Sequence, residues 1–187
     1  AGWHRVIDPR TREELWLPAE GEVYAALAAA TKESGPWLPM AGSKRAKLST
    51  EVRELRVSPG PDDLEAMVRA GVNPFYADPS EGFLIEGQAT LQRAPSQLDR
   101  LNVALLVDFI GEQVREGNRP QRHEPNDAIL WRDMTNRTTK FLERLAQKRG
   151  TIERDDQDVP RFRVVCGSSN NPAPERAAKR THIDVFV

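Results

Sequence analysis

Ser96-Gln97-Leu98-Asp99-Arg100-Leu101-Asn102-Val103-Ala104-Leu105-Leu106-Val107-Asp108-Phe109-Ile110 opens the most apolar helical stretch of the chain, which continues through Val114 to about Gly117. Its apolar positions (Leu98, Leu101, Val103, Leu105, Leu106, Val107, Phe109, Ile110 and Val114) surround most of a helical circumference. The stretch therefore predicts a helix covered on several sides. A second long helix follows. Asn126-Asp127 is its capping signal, Gly150 its stop, and Leu130, Trp131, Met134, Phe141, Leu142 and Leu145 recur at 3.6-residue spacing on one face. The helices near 97–116 and 126–149 are expected to pack together as the core, with Leu105, Phe109, Trp131, Phe141 and Leu145 largely buried.

Outward from this pair the chain reads as shorter elements. Val6-Ile7, the turn Asp8-Pro9 and Leu15-Trp16-Leu17-Pro18 predict extended structure with turns. Residues 21–33 are alanine-rich and predict a helix ended by Ser34-Gly35-Pro36. Val52, Leu55 and Val57 suggest a strand. Ser58-Pro59-Gly60-Pro61 opens a further helix, with Asp62, Asp63 and Glu65 in its first turn, Leu64, Met67 and Val68 on its apolar face and Gly71 just past its end. Phe83-Leu84-Ile85 reads as a short strand. Past a hydrophilic loop from Glu153 to Asp158, Phe162 to Cys166 and His182 to Val187 read as two more, joined by a polar connection from Gly167 to Arg180. Helices and strands are segregated rather than alternating, which predicts an α+β domain: a small mixed sheet packed against several helices, two of them long.

The bulk chemistry narrows function. The chain has 187 residues, 29% charged and 39% apolar, with 27 basic against 28 acidic side chains and a net charge of −1. A general nucleic-acid binder leans basic, so that class loses weight. One cysteine, Cys166, excludes an internal disulfide and a cysteine-rich zinc module. No apolar run approaches the ~18 residues of a spanning helix.

No catalytic constellation emerges. His4, His123 and His182 are scattered, without HExxH or His-x-His spacing. Asp155, Asp156 and Asp158 lack the glycine and terminal glutamate of a calcium loop and read as a solvated acidic loop. Cys166 has no basic neighbour closer than Arg163 and reads as a buried structural thiol. Gly167-Ser168-Ser169 lacks the GxSxG frame, and no phosphate loop is present. The reading is of a protein that is not an enzyme and needs no cofactor and no metal.

Four stretches together resemble the contractile phage tail sheath family, specifically its conserved C-terminal domain. The first is Trp16-Leu17-Pro18-Ala19-Glu20-Gly21 through Gly35-Pro36-Trp37-Leu38-Pro39. The second is Ala70-Gly71-Val72-Asn73-Pro74 followed by Gly82-Phe83-Leu84-Ile85-Glu86-Gly87-Gln88-Ala89-Thr90-Leu91. The third is Leu101-Asn102-Val103, then Glu124-Pro125-Asn126-Asp127 and Leu130-Trp131. The fourth is Phe162-Arg163-Val164-Val165-Cys166 through Asn171-Pro172 to the final strand. Each motif alone is weak, and their order and spacing make the match. The resemblance departs from the family in lacking an N-terminal variable region and terminal arms. The start at Ala1 without methionine and the end within Ile183-Asp184-Val185-Phe186-Val187 fit a fragment spanning 1–187 of that domain.

The resemblance implies a structural subunit that polymerises helically around a tail tube and contracts to drive the tube through the host envelope. The sheath of a tailocin or another contractile injection system is the related alternative. Implied partners are other sheath subunits in stacked rings, the tail tube protein, the baseplate and the tail terminator, with no nucleic acid and no membrane. The implied location is the virion tail, assembled in the host cytoplasm.

Two surfaces follow as expectations. Arg137, Lys140, Arg144 and Lys148 fall within about 80° of one another on the second long helix, centred ~95° from its apolar face. They read as a solvated face, as a face meeting the acidic tail tube or, more remotely, as the contact of a nucleic-acid-binding module. Ile183, Val185 and Val187 mark the sheet edge to which a neighbour's arm adds by β-augmentation.

Overall fold

The computed structural model describes residues 2–187. The chain divides into two compact units, 1–107 and 108–187.

The first unit opens with a hairpin of β1 (Trp3–Ile7) and β2 (Glu14–Pro18), with β3 (Val52–Leu55) on the other side of β1 in an antiparallel sheet of order β2-β1-β3. The Asp8-Pro9 turn is closed locally, since Asp8 Oδ1 accepts from the backbone N–H groups of Arg10 and Thr11. Arg5 spans the sheet, pairing with Glu14 at 2.6 Å and Glu54 at 2.7 Å on the flanking strands. Between these strands lies α1 (Glu20–Ser34), which buries only the small Ala26 and Ala30. Beyond β3 comes α2 (Pro61–Arg69), with proline in its first turn. Its end is a Schellman turn: Val72 N–H reaches the Met67 carbonyl, Gly71 N–H the Val68 carbonyl, and Gly71 takes φ +76°. A second hairpin pairs β4 (Phe75–Asp78) with β5 (Gly82–Ile85). The core of this unit is Ala26, Met40, Ala46, Leu48, Val52, Leu55 and Ile85.

The second unit is built on α3 (Leu101–Gly117, whose residues 101–107 count with the first unit) and α4 (Ala128–Leu145). β6 (Arg163–Val165) and β7 (Asp184–Phe186) form an antiparallel pair, joined through the short α5 (Ala173–Ala177). Asp127 is the N-cap of α4, its carboxylate accepting from the N–H groups of Ile129 and Leu130. Thr151 Oγ1 reaches the carbonyls of Leu145 and Lys148, which terminates the helix.

The α+β class holds, with corrections of detail. Instead of one mixed sheet, the strands among the described residues form three separate antiparallel sheets, β2-β1-β3, β4-β5 and β6-β7. The first long helix starts later than expected, at Leu101, behind a 3-10 turn over Gln97–Asp99 in which Ser96 Oγ accepts from Leu98 N–H. The second ends at Leu145, short of 149. Of the five residues expected to be largely buried, Leu145 is; Leu105, Phe109, Trp131 and Phe141 are half-buried. The buried ladders run instead at four-residue steps, Leu106, Ile110 and Val114 on α3 and Leu130, Met134, Thr138 and Leu142 on α4. Phe109 and Phe141 meet beside them as a tilted aromatic pair with centroids 6.3 Å apart.

Candidate assembly surfaces

The motif residues are joined to one another by side-chain amides. Asn73 Nδ2 donates to the Ala89 carbonyl at 2.9 Å, and Ala89 N–H donates to Asn73 Oδ1 at 2.7 Å. Gly87 makes room for this clamp, since a Cβ there would stand 2.9 Å from Asn73 Oδ1. Asn102 Nδ2 donates to the Trp37 carbonyl at 3.0 Å. The Trp37 ring in turn lies over Gly35, where a Cβ would come within 2.4 Å of the indole and where φ is +89°. Asn126 Oδ1 accepts from Trp131 Nε1 at 2.6 Å, while its Nδ2 donates to the Arg180 carbonyl. Asn171, fully buried, exchanges two hydrogen bonds with the backbone of His182. The motifs are thus scaffold chemistry: each asparagine satisfies backbone groups that no helix or strand pairs.

These clamps position β7. With His182 held by Asn171 and Arg180 by Asn126, the segment from Thr181 is delivered beside β6 in register, Val164 opposite Val185. Among the described residues β7 pairs on one side only, with β6. Ile183 and Val185 are half-buried and line a groove of about 1070 Å³, while on the opposite face the Arg163 guanidinium stacks 4.5 Å from the Phe186 ring centroid. Ile183 and Val187 flank the strand rather than lie in it, and Val187 is exposed. The sequence reading named this edge but not the groove, whose floor comes from α3 and α4 residues distant in the chain.

The basic stripe is only partly helical. Arg137, Lys140 and Arg144 lie on α4 and are exposed; Lys148 falls beyond its end, so helical phase does not place it. Among the described residues none of the four makes a salt bridge, and Arg144 Nε donates to the Lys140 carbonyl.

The residues weighed for chemistry are dispersed. His4 is buried in β1, and His123 stands at the groove with φ +75°. His182 Nε2 lies 3.0 Å from Glu175, whose carboxyl is held below its ordinary range by that hydrogen bond. Burial, assisted by the Asp184 charge, pushes the Cys166 thiol up to about 11. Asp155 spends its carboxylate on the N–H groups of Gln157 and Val159, closing its own loop. Among the described residues, no three metal-ligating side chains converge. No described helix is long and apolar enough to cross a membrane.

No family model matches the chain. Curated proteins do. It is 26% identical to the tail sheath protein of Vibrio phage KVP40 over 157 residues, covering 84% of this chain and 22% of that protein. The tail sheath protein of Enterobacteria phage T4 is 22% identical over 156 residues (83% and 22%), and that of Salmonella phage ViI 24% identical over 185 residues (99% and 28%). The chain therefore spans about a quarter of the curated relatives it matches. Among solved structures, a chain of the anti-feeding prophage baseplate superposes with a TM-score of 0.83 at 18% identity, covering 99% of this chain and 49% of that one. The contracted helical sheath of the same system gives 0.82 at 19% identity (99% and 50%). The contracted sheath complex of the extracellular contractile injection system PVC gives 0.82 at 16% identity (99% and 50%). In sequence the chain is similar to tail sheath proteins of three phages over most of its length, and in fold it is similar over nearly all of it to chains of two contractile injection systems.

Proposed function

We propose that the chain is the conserved C-terminal domain of a sheath subunit, which polymerises as stacked helical rings around a tail tube and contracts to drive it through a host envelope. The observation that carries the reading is sequence similarity to three tail sheath proteins over 83–99% of the chain. The sheath of a tailocin or other contractile injection system is the second reading, favoured by the superposition on two such systems.

In this role the open edge of β7 receives a strand from a neighbouring subunit, so that the ladder of hydrogen bonds continues between copies. Heterologous contacts of that kind propagate along the helix without closing. The exposed cations of α4 face the tube, and baseplate and tail terminator bound the two ends of the polymer. Assembly takes place in the host cytoplasm, and the product is part of the virion tail. Contraction is a rearrangement of rigid domains, requiring no cofactor and no catalysis by this domain.

The test is electron microscopy of the subunit expressed from its complete reading frame. Helical tubes are expected, and removal of residues 184–187 should abolish them while soluble subunit persists. Normal tubes from the deletion would remove β7 from assembly, and soluble monomers from the intact subunit would overturn the sheath reading.

A further inference from the structure

We propose that the groove beside β7 binds a single-chain amphipathic anion, a medium-length alkyl carboxylate, with its head among Arg122, Arg176 and Lys179 and its chain along the apolar wall. The site lies within the second unit and does not depend on the sheath reading.

The groove is polarised along its length. Its wall is apolar, formed by Ile110 and Val114 of α3, Leu130 and Met134 of α4, and Ile183 and Val185 of the final segment. Each helical pair is one turn apart, so each helix contributes a continuous apolar strip. The cations gather where α3 stops and α4 starts. Arg122 lies in the connection between those helices, and Arg176 is stacked at 5.9 Å on the ring of Trp131, in the first turn of α4. Asn126 Nδ2 donates to the Arg180 carbonyl at 2.7 Å, which brings Lys179 to the same connection. From the end of α3 at Gly117 back to Ile110 is about 10 Å of helix, the reach of a medium-length alkyl chain.

The charge at that end is unbalanced. Arg115, Arg119, Arg122, Arg176 and Lys179 line the groove against a single carboxylate, Glu124. Arg115 pairs with Glu112 and Arg119 with Glu116, each three residues back. Among the described residues Arg122, Arg176 and Lys179 make no salt bridge. Lys179 also occupies the left-handed position after α5, at φ +57°, which glycine fills without strain. An inorganic anion would leave the apolar wall in water, and an uncharged chain would leave the three cations unpaired. A carboxylate with its own alkyl chain satisfies both, because head and tail lie at opposite ends of the ligand as they do in the groove.

The experiment is calorimetric titration of the chain with alkyl carboxylates below their micellar concentrations, with the signals of isotope-labelled chain followed in parallel. Decanoate should bind about tenfold more tightly than octanoate, since each buried methylene improves affinity roughly fourfold. It should shift the Met134 methyl signal and the amide signals of Ile183 and Val185. Decylammonium, of equal length and opposite charge, should bind about tenfold more weakly than decanoate at low salt. The double variant R122E/K179E should reverse that order with little change in melting temperature, because both side chains are exposed. If that variant does not fold, the chain-length and head-charge series on the unaltered chain still decide. Equal affinity for decanoate and decylammonium would remove the cations from the site and overturn the proposal. Acetate binding as tightly as decanoate would make the cluster a simple anion site, and shifts confined to residues outside the groove would place binding elsewhere; either result overturns it too. So would binding to phosphatidylglycerol vesicles without binding of monomeric decanoate, which would make this face a membrane contact.

Discussion

Asn171 and His182 exchange two hydrogen bonds, the His182 N–H donating to Asn171 Oδ1 at 2.6 Å and Asn171 Nδ2 donating to the His182 carbonyl at 2.9 Å. Asn171 has no exposed surface, so both bonds are sheltered from water. Asn171→Ala leaves the His182 N–H without its acceptor and the His182 carbonyl with only the longer bond from Asn170 Nδ2 at 3.3 Å, and should cost roughly 1–3 kcal/mol. A urea titration of the chain measures it. Asn171→Asp keeps the acceptor for His182 N–H but buries a carboxylate, and should be destabilising as well, increasingly so as pH rises above the ordinary carboxylate range.

Gly35 and Trp37 are matched by shape. At φ +89° an alanine at 35 is strained by backbone alone, and its Cβ would lie 2.4 Å from the indole. Gly35→Ala should therefore lose more than the ~1–3 kcal/mol of backbone strain. Adding Trp37→Ala should remove the collision and leave the strain together with the loss of the indole's own packing. The two changes together should cost less than the sum of each, and a double-mutant cycle by thermal unfolding reads the difference.

Cys166 should be unreactive while the fold persists. With its thiol pushed up to about 11 by burial and by Asp184, the thiolate that attacks alkylating reagents is scarce at neutral pH. Labelling by iodoacetamide should be slow in the native chain and fast in urea. The sign for stability follows from the raised value: the folded state holds its proton more tightly. Stability is therefore full below the ordinary thiol range and declines as pH rises from about 9 towards about 11.

Reversal of Arg144 and Lys148 to glutamate should impair growth of sheath on tail tubes and leave tube-free sheath polymers intact. Both residues are exposed and make no ion pair among the described residues, so reversal should leave the melting temperature of the chain nearly unchanged. Each exposed contact is worth ~0–1 kcal/mol and is screened by salt, so the effect should shrink as ionic strength rises. Equal loss in both assays would assign these cations to contacts between sheath subunits.

Helix periodicity carried most of what was legible. Apolar spacing and caps located α1, α2, α3 and α4 within a few residues, because those signals are local. β4 escaped: Phe75-Tyr76-Ala77 offers no alternation, and its strand character comes from pairing with β5 across the Asp78–Gly82 turn. Trp131 was placed in the core by hydrophobicity, yet its Nε1 is committed to Asn126 and its ring to Arg176, which keeps it half-exposed. Asn126 was visible as a cap residue and Asn73, Asn102 and Asn171 only as members of motifs, while their clamping partners lie at distances such as Asn102 to Trp37 and Asn126 to Arg180. No spacing rule reports a side chain that bonds to backbone so far along the chain. For the same reason the groove beside β7 had no sequence signature, although Ile183 and Val185, two of the three edge residues named from sequence, line it.

Two of the four clamping asparagines, Asn73 and Asn171, are each followed by proline. Spontaneous deamidation of asparagine begins when the backbone nitrogen of the next residue attacks the side-chain amide to close a succinimide ring. Proline's nitrogen is tertiary and carries no hydrogen, so that ring does not form in the ordinary way. The residue that sets the exit direction of the chain thereby also preserves the amide beside it. At these two joints the ordinary route by which an asparagine loses its amide is closed, so both clamps keep their donor and their acceptor as the chain ages.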